Sequence, residues 1–531
     1  MKKTLKTVII SILIMALMGA SAVLSFADYD GLTFVSNGSG YTVSEIKPAA
    51  GSNVVIPSTY SGLPVTAIGK SAARDNTIIK TVEIPASVTQ VNEYAFSGCI
   101  NLKIVAFVES SANVTLKTQA FYGCYSLVNL TLPKTTAIPN ECFKNCSALA
   151  SLTLPEGLTS IGSESFFYCK TLPSVNIPSS VASIGNSAFY NCSAVSSFSV
   201  GSGSGSFKSV DGVLYTKDGT ELVQYPIAKT GDEYAVASGT TLIRDGAFAY
   251  SSLKKITLPS SVRRLGAYSF SDCSKLSSIN FPEGLTAIGS NAFLRCGALK
   301  QVTLPSTLTD FEDAFVGSGI ETVTLKQGIT EISRNAFKDC SSLSTVNLPD
   351  GLATVGAGAF YDCSSISEIF IPASVTAIRN EAFHGCEPFT IKTPEGSYAA
   401  SYAQSNSIPV IYSDHNTEPV SGASVKILGF SSSISVGYKT TVTFHASVDC
   451  SEGYTLYWII NNSQYGDDGS LSYTKKSADS KYTVQCKIVT DSGAEALSSV
   501  ETVNVSTGIF AKIVYFFRNI FAKSSLIIDQ K

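Results

Sequence analysis

Phenylalanine recurs at positions 96, 121, 143, 166, 189, 248, 270, 293, 315, 337, 360 and 383, with a spacing of 22 or 23 residues almost throughout. A small residue precedes each one: Ala95, Ala120, Ala188, Ala247, Ala292, Ala314, Ala336, Ala359 and Ala382, with Cys142, Ser165 and Ser269 in the other units. Three residues after the Phe stands a Cys, at 99, 124, 146, 169, 192, 273, 296, 340, 363 and 386, or a Ser at 251 and 318. A degenerate earlier unit carries Ala72, Ala73 and Asn76 in register. An extended stretch follows in each unit, as in Leu149-Ala-Ser-Leu-Thr-Leu-Pro155, whose apolar residues alternate with Thr at strand periodicity. Proline closes the strand because it cannot donate to a ladder. A second apolar pair then leads to a Gly bend, as in Leu158-Thr-Ser-Ile161-Gly162. One such unit cannot bury its own apolar face, so the copies must stack and share one extended core.

The full pattern, nearly whole in residues 152–175 and spread over about 65–396, resembles the BspA-like leucine-rich-repeat family of bacterial surface proteins. The resemblance implies a curved leucine-rich-repeat β-solenoid with a parallel sheet on its concave face. It also implies export, and adhesion or binding to host or neighbouring-cell proteins. About thirteen coils of 22–23 residues are expected, spanning 65–412 with its C-terminal cap.

The flanks differ in kind. Residues 1–27 read as a signal peptide: Lys2, Lys3 and Lys6, an apolar run from Val8 to Val23, and Ser25-Phe26-Ala27 for cleavage after Ala27. An uncleaved anchor is the alternative. Removing the three lysines takes the formal charge from −3 to −6. Residues 28–64 are expected to cover the first coil as hairpin strands. Within 196–240, Cys192 to Ser251 spans 59 residues, and Val213-Leu-Tyr-Thr216 with Glu221-Leu-Val-Gln-Tyr225 reads as a hairpin projecting from the stack. Residues 396–404 show Tyr and Ala at helical spacing, a cap for the last coil, followed by a strand at 408–412. Residues 413–422 form a polar linker. Residues 423–506 alternate as strands, and Cys450, Trp458 and Cys486 resemble an immunoglobulin-like β-sandwich core, which implies a Cys450–Cys486 disulfide. In 507–531, Phe510, Ile513, Phe516, Phe517, Ile520 and Phe521 fall on one helical face, giving an amphipathic tail. It lies on a membrane or envelope surface, docks on a partner, or packs on its own sandwich.

The chain carries little for catalysis. His384, His415 and His445 are its only histidines, and none sits in a recognisable nucleophile, metal or acid–base arrangement. The Cys ladder is expected to be buried free thiols, since parallel side-chain vectors do not suit a bridge. Cys142 and Cys146 form an i, i+4 pair without a nearby His, which does not make a zinc site. No catalytic residue, metal ligand or cofactor site is assigned. Lys+Arg 38 against Asp+Glu 41 leaves no basic field for nucleic acid.

The candidate binding face is the outward side of the strands: Thr131, Thr153, Asn176, Thr257, Asn280, Thr303, Thr324, Asn347 and Phe370. Phe370, apolar in a polar row, is the expected contact anchor. These features together read as a secreted or cell-surface, non-catalytic binding or adhesion protein whose partner is an extracellular protein or a glycan. A scaffold without a specific ligand and an unrecognised extracellular hydrolase are the alternatives.

Overall fold

A computed structural model describes residues 30–412 in full and, beyond them, only strand backbone between Ser424 and Val514. The signal segment 1–27 and the linker 413–422 lie outside the described residues. The chain divides into two compact units, residues 1–155 and 156–531. Residues 30–155 of the first and 156–412 of the second are parallel β-solenoids, and these described residues carry about sixteen turns, against the thirteen expected. The surplus comes from turns without the Phe-x-x-Cys signature, at the lead-in, at the insert and at the last strand.

In the first unit, Leu32–Ser36 and Tyr41–Ile46 form an antiparallel pair. Tyr41–Ile46 also pairs in parallel with Leu63–Ile68, and Asn53–Val55 with Thr81–Ile84. The lead-in therefore joins the ladders instead of lying over them. Strands Asn53–Val55, Thr81–Ile84, Ile104–Phe107, Asn129–Thr131 and Ser151–Thr153 form one parallel sheet. Its register aligns Val54, Val82, Val105, Leu130 and Leu152 in a single inward row. Phe96, Phe121 and Phe143 stack at 5.3 and 5.4 Å between ring centroids.

The second unit repeats the plan. Phe248, Phe270, Phe293, Phe315, Phe337, Phe360 and Phe383 stack at 5.0–5.6 Å, each fully or almost fully buried. Offset aromatic stacks of this kind add to the apolar area they bury. The insert folds as three strands, Phe207–Val210, Val213–Thr216 and Glu221–Gln224. The expected hairpin forms, but it does not project. Glu221–Gln224 runs parallel to Leu242–Ile243, and Val213, Leu214, Tyr215 and Leu222 are each 0 % exposed. Tyr225 then takes the Phe place and stacks on Phe248 at 5.1 Å. The reason is energetic: a projecting hairpin would leave four large apolar side chains in water, at about 1.5–3 kcal/mol each. Helix Tyr398–Ser405, N-capped by the Ser397 hydroxyl accepting from Ala400 N–H, buries Ala399, Ala400 and Ala403 at the end of the stack.

The segment around each Phe explains the sequence signature. The residues two before and two after it adopt left-handed backbone, as at Asn291 (φ 57°) and Arg295 (φ 55°), or Asn335 (φ 51°) and Asp339 (φ 60°). Such conformations cost roughly 1–2 kcal/mol for an L residue. They aim three N–H groups at the next turn: Asn291 to Asp313 O at 3.0 Å, Phe293 to Ala314 O at 2.8 Å and Arg295 to Val316 O at 3.3 Å. The Cys supplies a fourth link, since its thiol donates to the Phe carbonyl one turn back, for example Cys296 Sγ to Phe270 O at 3.1 Å and Cys386 Sγ to Phe360 O at 3.0 Å. Ser251 and Ser318 fill the same slot and bond Cys273 and Cys340 at 3.4 and 3.3 Å.

Beyond residue 423, Tyr454–Ile460 pairs antiparallel with Lys481–Thr490, placing Trp458 opposite Cys486. Cys450 lies outside the described residues, so the Cys450–Cys486 pairing does too. The tail departs from the helical expectation where it is described: Lys512–Val514 is a strand paired with Ser472–Thr474 and Thr441–Val442. Backbone pairing to those strands satisfies its polar groups in place of a helical turn.

Two predictions follow from this core. Ser165 and Ser269 sit fully buried in the Ala slot, and their hydroxyls have no partner among the described residues. Ser165→Ala and Ser269→Ala should each stabilise the fold by about 1 kcal/mol, measured by denaturant unfolding. Second, burial pushes the thiols of Cys192 and Cys273 up to about 12 and those of Cys340 and Cys386 to about 11. The unfolded chain therefore loses these protons first as pH rises. Their contribution is complete below the ordinary thiol range and is lost on the way to pH 11–12. The melting temperature should fall steadily above about pH 9, and the native thiols should resist alkylation at pH 8 until the chain is unfolded.

Candidate functional site

The outward face of the parallel strands is where short polar side chains gather. In the first unit Thr131 and Thr153 are neighbours in register, and both are exposed. In the second unit Asn176, Thr257 and Asn280 are exposed, Thr303 and Asn347 are half-buried, and Thr324 is 4 % exposed. Register places Thr303, Thr324 and Asn347 side by side. Much of this row is bonded to itself. Ser199 Oγ donates to Asn176 Oδ1 at 2.9 Å, and Asn347 Nδ2 donates to Thr324 Oγ1 at 3.0 Å. Asn280 accepts from Leu258 N–H at 2.7 Å and donates to Leu258 O at 2.9 Å, so its amide continues the ladder where strand Ser278–Ile279 stops.

Phe370 corrects the expectation placed on it. It is in the row, opposite Lys392, but only 7 % of it is exposed. Lys392, its register partner, pairs with Glu368 two residues away on the same face. Phe370 is therefore a buried member of the face and not the exposed apolar residue expected.

Sequence reasoning passed over one turn of the first unit. Register sets Ile104 beside Thr81 and Asn129, and Ala106 beside Glu83, so two outward positions that are polar in the neighbouring turns are apolar here. Val108, just after this strand, is 46 % exposed. This turn also has a longer corner. Six residues, Val108 to Asn113, separate Phe107 from Val114, where three, Pro85 to Ser87, separate Ile84 from Val88. The following turn is one residue short, so that Thr135, 3 % exposed, takes the place Leu158 holds in its own turn. The mismatch opens a cavity of about 470 Å³ walled by Pro85, Phe107, Val108, Leu132 and Pro133, with Glu109, Ser110, Ser111 and Lys134 among its polar lining. The signal that could have found it is the spacing of 25 from Cys99 to Cys124.

In the second unit Tyr168, Tyr190 and Tyr250 gather beside Asp272 and Arg295: the Tyr168 and Tyr250 hydroxyls lie 3.0 Å apart, the Tyr190 hydroxyl bonds Ser271 Oγ at 2.8 Å, and Arg295 Nε donates to Asp272 at 2.6 Å. No group of three or more His, Cys, Asp or Glu side chains comes together among the described residues to hold a metal. Cys142 and Cys146 are both buried, and burial holds the Cys142 thiol well above its ordinary range. His384 packs against Tyr361 at 4.7 Å on an exposed corner. No helix among the described residues is long and apolar enough to cross a membrane.

Comparison with solved structures finds the same fold. The pneumococcal vaccine antigen PcpA aligns at 22 % identity over 74 % of this chain and all of that one, with a TM-score of 0.57. A leucine-rich cell surface protein from Faecalibacterium prausnitzii aligns at 25 % identity over 74 % and 99 % of the two chains, with a TM-score of 0.48. A leucine-rich-repeat protein from Eubacterium ventriosum aligns at 26 % identity over 67 % and 92 %, also with a TM-score of 0.48. No curated protein matches the chain. The model of the BspA type leucine-rich-repeat region matches in six copies over residues 66–196, 241–315 and 311–407, more than half of the chain. With its stacked Phe and Cys rows, its parallel turns and this match, the protein belongs to the BspA-type leucine-rich-repeat family.

Proposed function

We propose that this is an exported, non-catalytic surface protein whose solenoid binds an extracellular protein or a glycan. The observation that carries the reading is the outward strand face of each unit, with Thr131 and Thr153 exposed on the first and Asn176, Thr257 and Asn280 exposed on the second. Short polar side chains on a rigid sheet offer many hydrogen bonds at little entropic cost to the protein. Two of the similar structures are named as a vaccine antigen and as a cell surface protein, which agrees with display outside the cell. In this reading residues 1–27 direct export, 423–506 form an immunoglobulin-like spacer closed by Cys450 and Cys486, and 507–531 attach the chain to the envelope.

A second reading, a shape-giving scaffold without a ligand, is favoured by one observation. Asn176, Asn280 and Asn347 already bond to neighbours within the protein.

A panel of extracellular-matrix proteins, cell-surface glycoproteins and glycans separates the two. The full chain should bind at least one panel member saturably, and Thr153→Lys with Thr257→Lys should weaken that binding by roughly tenfold without lowering the melting temperature. Absence of binding across the panel, or turnover of a panel member, overturns the proposal. Cell fractionation with and without residues 507–531 tests attachment: loss of envelope association on deletion is expected, and unchanged localisation removes that role from the tail.

A further inference from the structure

We infer that the long corner at Val108–Asn113 is a peptide-docking site, which takes an extended protein segment with one bulky apolar side chain next to an acidic residue. The inference rests on the binding role proposed above and names its partner class as protein.

Three observations converge on this corner. The first is the cavity of about 470 Å³, within the size range of ligand sites and larger than one side chain needs. Its lining mixes polar groups with apolar ones: Phe107 and Val108 from one turn, Pro85 from the turn before, Leu132 and Pro133 from the turn after. The second is the strand that feeds it. Ile104 and Ala106 make the outward face apolar at this turn, so an apolar strip leads from the sheet to the cavity mouth. The third is main chain. Val108 N–H bonds Ile84 O and Val114 N–H bonds Lys134 O, but between them the N–H groups of Glu109, Ser110, Ser111 and Asn113 have no acceptor among the described residues. A run of unpaired main-chain donors beside a partly apolar cavity matches the way an extended peptide is held: backbone pairing for affinity, one pocket for the side chain. Sugar hydroxyls also accept from N–H groups, but a hydroxyl-covered ring would leave Phe107, Val108 and Leu132 without an apolar partner.

Charge sets the neighbour. Lys134 Nζ reaches across the mouth only to Ser111 O, at 3.4 Å, and its side chain is exposed. A carboxylate of the partner would replace that long contact with a charge-assisted bond. Glu109, on the other side of the rim, is exposed. It disfavours a second acidic residue at the opposite end of the segment.

The test uses the full chain as bait for a random-peptide phage library, with a glycan array alongside. Selected peptides should share a large apolar residue beside Asp or Glu. Val108→Asp should weaken their binding by roughly tenfold or more, and Lys134→Glu should reverse the preference for the acidic neighbour. Val108 is exposed and on a corner, so Val108→Asp should leave the melting temperature unchanged; Val35→Asp, at an equally exposed but distant site, is the control and should bind as the parent does. Peptides that ignore Val108→Asp, or glycans that are lost with it while no peptide is selected, overturn the inference. Binding of a panel protein that survives Val108→Asp would also overturn it, while leaving the broader surface-binding role intact.

Discussion

Where one Phe turn stacks on another, the turns are joined by a three-rung main-chain ladder at the Phe segment. Left-handed residues on either side of the Phe turn alternate N–H groups in one direction, toward the next turn, where carbonyls meet them at 2.8–3.3 Å, as between Asn291–Arg295 and Asp313–Val316. An N–H left unpaired in so apolar a core would cost about 1–3 kcal/mol, comparable to the strain of the left-handed backbone itself. The strained conformation is therefore stable only in a stack. It follows that no single unit of this sequence is a folding unit, in keeping with the nearest-neighbour energetics of solenoids.

The Cys row belongs to the same device. The slot three residues after the Phe is buried and faces a carbonyl that already accepts one N–H. A weak donor of small volume suits it, as at Cys296, while the Ser251 hydroxyl fills the same slot and bonds the Cys273 sulfur. Ten such cysteines invite a redox or metal reading from sequence. Their burial, which at Cys192 and Cys273 pushes the thiol pKa up to about 12, makes them inert packing groups in the folded state.

How far the sequence could be read depended on whether a feature repeats. The Phe and Cys spacing, the inward Leu and Val rows and the helical cap over residues 396–404 were all legible, because each is set by local periodicity or by identical neighbours. The insert was legible as a hairpin, through its turn residues, but not as part of the stack. Its fate depended on whether Val213, Leu214 and Tyr215 found an apolar surface to lie on. The face at Phe370 was misread for a similar reason: its 7 % exposure is set by neighbouring turns, where its register partner is Lys392, twenty-two residues away in sequence. The corner at Val108–Asn113 left only a faint mark, a spacing of 25 among spacings of 22 and 23.

The sequence by itself determined that this chain stacks its repeats into a parallel solenoid, because no other arrangement buries a Phe, a Cys and four aliphatic positions in every 22 or 23 residues. The tertiary structure alone decided which outward residues stay in contact with water, how the insert enters the ladder, and where a change in turn length opens a cavity. Periodicity fixes which way a side chain points. Only the neighbouring turn, packed about 4.8 Å away, fixes what covers it.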